Sequence, residues 1–155
     1  MAECVDNPLE TFRQGQESIL ASLEQVSSSA RTYPSCRSML SELEAKIFAH
    51  MQFQSKREFL DLEKFVRGQC DAEAKIKFLQ YDVREFKIKA LTFFDTYLNP
   101  ASAVATRNFP IAFAEFRRTV IERIHTEEEH LLPLLEDFWR RREKAPETGE
   151  LKPES

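Results

Sequence analysis

Glycine is scarce in this chain of 155 residues: three occur, too few for a fold of many tight turns or for a glycine-lined phosphate loop. Cysteine is equally scarce. Cys4, Cys36 and Cys70 are odd in number and far apart in sequence, which argues against a disulfide framework or a paired-thiolate metal site and leaves three reduced thiols. No run approaches the ~18 apolar residues of a membrane span, so a membrane is not an expected partner. Neither sign of charge dominates: 22 basic side chains are interspersed with 26 acidic ones, for a net charge of -4. Without a basic block, nucleic acid is not an expected partner either. The first eight residues lack the basic region and apolar run of a secretory leader, so the expected location is cytoplasmic.

What the chain does have is thirteen phenylalanines in a composition that is 42% hydrophobic and 31% charged, enough to bury a core of single-domain size. The expected domain spans 1–144, and the segment 145–155, rich in proline and glutamate, is expected to be a disordered tail.

Apolar residues recur at helical spacing throughout. Asn7 and Pro8 form a helix start, after which Leu9, Phe12, Gln16, Ile19, Leu23 and Val26 share a stripe. A second helix is expected from about Ser35 to Gly68, roughly 33 residues or ~50 Å at 1.5 Å per residue, with Leu40, Leu43, Ile47, His50, Gln54, Glu58, Leu62 and Phe65 inward. Asp71 caps a third helix, striped by Ile76, Leu79, Val83, Phe86, Ala90, Phe93 and Tyr97 and stopped at Asn99-Pro100. The segment from Ala101 to Asn108 reads as the longest loop. The fourth helix then starts near Pro110 and runs to about Arg142, with Phe113, Phe116, Val120, Ile121, Ile124, His125, Leu132, Leu135 and Trp139 inward. Four long helices with short connections predict an all-α, antiparallel up-down-up-down four-helix bundle.

Polar residues break these stripes. Gln16 lies between Phe12 and Ile19; His50, Gln54 and Glu58 follow one another at four-residue steps; His125 and Glu129 are one turn apart, with Glu128 beside them. A buried polar group costs roughly 1–3 kcal/mol unless it is partnered, so such a cluster needs partners or a ligand. A histidine and a glutamate four residues apart can present a nitrogen and an oxygen to one ion. Glu127 and Glu128 otherwise read as a solvated acidic face, and His130 as a surface residue.

In His125-Thr-Glu-Glu-Glu129-His-Leu-Leu-Pro133, and more weakly in His50-Met-Gln-Phe-Gln54, the sequence resembles the hemerythrin-like (HHE) domains over roughly residues 7 to 140. The resemblance implies a four-helix bundle around non-haem iron in a sensor or regulatory protein. It places metal ligands at His50, His125 and Glu129, with Glu58 or Gln54 completing the shell and with Gln16 and Glu128 as outer hydrogen-bonding groups. Gln16, Gln54 and Phe86 stand where the family has further ligands. What is implied is therefore a degenerate centre that holds iron, in a mononuclear or vestigial diiron site, or holds no metal.

A second, weaker resemblance is to bacterial anti-sigma regulators of the Rsd/AlgQ type, in Asp6-Asn7, Arg13-Gln14-Gly15, Ala49-His50, Phe93-Phe94-Asp95-Thr96-Tyr97-Leu98 and Arg123-Ile124-His125-Thr126-Glu127. It implies a metal-free regulator binding a sigma factor or another transcription component through an exposed helix face. Neither resemblance implies an enzyme, and no nucleophile-base arrangement is suggested locally. Phe59 and Trp139 are the expected apolar surface of a homodimer.

Overall fold

The computed structural model describes residues 8–29, 37–52, 57–98 and 103–144. Among them the chain is all-helical: α1 (Pro8–Ser29), α2 (Arg37–Met51), α3 (Arg57–Phe65), α4 (Cys70–Leu98), α5 (Ala103–Thr126), a π-helical turn (Glu127–Leu131) and α6 (Leu132–Lys144). The tail at 145–155, Gln54, Cys4 and Cys36 lie outside the described residues, as does the side chain of Glu58, whose backbone belongs to α3. Cys70 is a free, exposed thiol. No described helix is long and apolar enough to cross a membrane.

The stripes pack as their spacing dictates. Phe12, Ile19, Leu23 and Val26 of α1, Leu40, Leu43 and Ile47 of α2, and Ile76, Leu79, Phe86, Ala90, Phe93 and Tyr97 of α4 are all buried. They fall into two apolar clusters. The larger joins α1, α2, α4 and α5 and is dominated by rings: Phe93 stacks on Phe116 at 4.2 Å between centroids, and Tyr97 meets Phe109 edge-on. The smaller gathers Phe12, Leu62, Ile76, Leu79, Leu131, Leu135 and Phe138 at the other end. Trp139 and Phe65, both partly buried, pack against this second cluster, and the side chain of Phe59 lies outside the described residues.

Helix boundaries differ from expectation in three places. The single second helix expected over 35–68 is described as two, α2 ending at Met51 and α3 running from Arg57 to Phe65, with 53–56 outside the described residues and a turn at 66–68 closing α3. The fourth helix begins at Ala103, with Pro110 inside α5, not at its start. Phe109 explains the extension, because it is fully buried against Tyr97, Phe93 and Phe113. Burying this ring offsets much of the cost of the hydrogen bond that the proline removes. Helix α4 begins at Cys70, one residue before the expected cap. Here Gly68 takes φ of 91°, which frees its N–H to donate to Glu73 Oε2 at 3.0 Å, and Glu73 N in turn donates to Gln69 O. A carboxylate from the first turn of α4 thus ties down the incoming chain.

Candidate functional site

Between the two apolar clusters lies a polar layer centred on Glu127, which is only 3% exposed. Oε1 of Glu127 accepts hydrogen bonds from Gln16 Nε2 and from His50 Nε2, both at 3.0 Å. Its other oxygen, Oε2, faces Arg123 Nε at 3.2 Å, near enough for an ion pair though off the line of a hydrogen bond. Arg123 Nη1 continues the chain to Asp82 Oδ2 at 2.6 Å. Four helical elements therefore converge: α1 supplies Gln16, α2 His50, α4 Asp82, and the α5–π junction Arg123 and Glu127.

His50 is held tightly in this layer. Its ring lies 4.6 Å from that of Phe12, and a Cβ added to Gly15 would fall 2.6 Å from its Nδ1. Gly15 is thus the point at which α1 leaves room for the imidazole. Because an ionised carboxylate can only accept, Nε2 of His50 carries the proton in this pair. Burial alone would push the Glu127 carboxyl up. The hydrogen bond from His50, the charges of His50 and Arg123 and the hydrogen bond from Gln16 together outweigh it and hold Glu127 below its ordinary value of 4.5.

Two of the expected site residues, Gln16 and His50, meet here. The expected metal ligands His125 and Glu129 do not: both point to solvent, Glu129 with 75% of its side chain exposed, and Glu128 is exposed as well. The reason is registry. Continuing inward from Val120 and Ile124 by three and four residues reaches Glu127 and Leu131, which are buried, whereas His125 lies about 100° round the helix from Ile124. The π-helical turn accommodates an additional residue here, so Leu131 and Leu132 are both buried. Glu127, expected on a solvated face, is instead the centre of the cluster. His130 is half-buried, its ring edge-on to Phe78 at 5.7 Å.

Arg123 and Asp82 carry no signal in spacing. An arginine next to Ile124 reads as a helix-flank cation, and its partner lies on another helix.

The cluster fits a metal ion poorly. His50 and Glu127 are its ligand-capable inward pair, but both glutamate oxygens already face donors, and the arginine cation occupies the electrostatic place that a metal cation would take. Phe86 lines the same pocket. No three His, Cys, Asp or Glu side chains among the described residues are grouped to hold an ion. The chain matches no family model, no curated protein and no solved structure.

Proposed function

We propose that this protein is a non-enzymatic regulatory module. Its helices form a hemerythrin-like, up-down-up-down four-helix bundle whose centre is closed by an ionic layer, and it acts through a protein partner bound on an exposed helix face. The observation that carries this reading is the saturation of Glu127. A binding or catalytic centre needs a position left open for substrate or ion, and here Gln16, His50 and Arg123 take both carboxylate oxygens while Asp82 balances the arginine. Of the two resemblances, the metal-free regulator suits this chemistry better than the iron sensor.

Anaerobic loading with ferrous iron, followed by metal analysis, tests the reading. Iron well below one per chain, unchanged in His50→Ala, is the expected result. Stoichiometric iron that is lost in His50→Ala would restore the iron centre. Binding assays against a sigma factor then ask whether the partner is the one that the anti-sigma resemblance suggests.

A further inference from the structure

Helix α4 is apolar on two opposite sides. One side packs inward through Leu79, Phe86, Ala90 and Phe93. About 180° away, Tyr81, Ile88 and Leu91 project outward with 59%, 56% and 50% of their surfaces exposed. Between them on the same outer face come Lys77 and Arg84, so that Lys77, Tyr81, Arg84, Ile88 and Leu91 alternate four and three residues apart. That is the spacing of a seam that receives another helix. An open groove of about 520 Å³ runs along its edge, floored by Phe48, Met51 and Val83 and flanked by Arg84 and Lys87.

The charge on this face identifies what it fits. Among the described residues Lys77, Arg84 and Lys87 have no acidic partner, although the chain as a whole carries a net charge of -4. Of the nearby acids of α4, Asp82 is bound to Arg123, Glu85 lines the cleft toward α5 and Glu73 accepts from Gly68 N, so that the exposed Asp95, one turn beyond Leu91, is the acid that remains on the seam. Two unpaired cations, Lys77 and Arg84, are thus interleaved with three exposed apolar side chains on the seam, and a third, Lys87, flanks the groove beside it, against one acid, Asp95, at the end of the seam.

We infer that the outer seam of α4, with its flanking groove, docks an acidic amphipathic helix of a partner protein. Leucine-like residues of that helix would pack between Tyr81, Ile88 and Leu91, and its flanking carboxylates would pair with Lys77, Arg84 and Lys87. This rests on the interaction-module reading and specifies its surface and the chemistry of its partner.

A fluorescently labelled synthetic helix about three heptads long, leucine along its seam and glutamate beside it, is the probe; the same peptide with lysine for glutamate is the control. Titrated against the full chain, the acidic peptide should bind and the basic one should not, with binding weakening as salt rises. Arg84→Glu combined with Lys87→Glu should weaken the acidic peptide roughly tenfold or more and admit the basic one. Ile88→Ser should weaken the acidic peptide without altering the charge preference. Since all three positions are solvent-facing, an unchanged helical circular-dichroism spectrum and melting point show that each variant is folded.

Equal binding of both peptides, or acidic-peptide binding that survives charge reversal, overturns the assignment. So does a face that captures only anionic vesicles, or one covered by a second copy in a dimer that Ile88→Ser dissociates. A partner that binds the Arg84→Glu, Lys87→Glu variant as well as the parent would sink this surface while leaving the interaction-module reading intact; stoichiometric iron at His50 would sink that reading instead.

Discussion

Glu127 is the residue on which the centre of the molecule depends, and its burial makes the consequences of changing it calculable. Glu127→Gln keeps the shape but removes the charge opposite Arg123, whose side chain is buried and would be left with Asp82 alone. Breaking a buried pair in this way costs about 3–5 kcal/mol, to be read as a lowered urea midpoint with an unchanged m-value. The pH dependence has a definite sign. Because folding lowers the Glu127 pKa from 4.5, the stability it contributes is complete above that value and is lost as pH falls through the lower folded value. Acid titration of the parent should therefore show a loss of stability below pH 4.5 that Glu127→Gln lacks. Identical acid limbs in the two proteins would show that the carboxylate is not held as described.

Gly15 provides a sharper test at the same scale, because two effects of opposite sign compete there. Within a helix, glycine to alanine ordinarily stabilises by roughly 0.5–1 kcal/mol. At Gly15 the new Cβ would lie 2.6 Å from His50 Nδ1, which forces the ring from its place against Glu127. Gly15→Ala should therefore destabilise the parent by about 1–3 kcal/mol but stabilise a His50→Ala background. Additive effects in the two backgrounds would rule out the close approach. The half of the layer made by Gln16 and His50 is legible in the sequence, since each interrupts an otherwise apolar stripe. The other half is not. The acidic triplet Glu127-Glu128-Glu129 presents a carboxylate to the core in any of three registers, and the role of Gly15 exists only because another helix brings an imidazole to it.

Elements follow their sequence most faithfully where a single stripe decides them. In α1 and α2 the inward residues are those that three-four spacing selects, and in α4 they are too except that Val83 turns to the outer groove and Phe94 is buried in addition. Spacing is less informative where two signals conflict. Pro110 has the character of a helix start, yet α5 begins at Ala103, since the ring cluster around Phe109 draws the preceding turns into the helix. The two alternatives respond differently to Pro110→Ala. Inside a helix the change restores a backbone hydrogen bond and relieves a clash, and should stabilise by about 1 kcal/mol or more. At a first turn it would be neutral or mildly destabilising. A higher melting temperature, with a small gain in helical circular dichroism, is the expected outcome.

For the whole molecule, the polar layer separates two hydrophobic clusters that would otherwise be continuous. Arg13–Glu136 at 2.6 Å and Arg117–Glu24 at 2.5 Å tie α1 to α6 and to α5, but both pairs are exposed, and such pairs contribute about 0–1 kcal/mol. The integrity of the fold thus rests on the two clusters and on what lies between them. A buried ionic layer stabilises little relative to well-packed apolar residues, even though breaking it is costly. Replacing the layer as a unit, with Gln16→Leu, His50→Leu, Arg123→Met and Glu127→Leu, should give a protein at least as stable as the parent, whereas Glu127→Gln alone is less stable. Asp82 tolerates the exchange because a third of its side chain already reaches solvent. If the layer is structural and recognition lies on the outer seam of α4, this variant should also keep its affinity for the acidic helical peptide within about threefold, near the scatter of context-dependent effects on distant sites. Lost affinity in a protein that still unfolds cooperatively would locate function in the buried layer after all. Loss of cooperative unfolding would show instead that the ionic layer is what fixes the register of the helices.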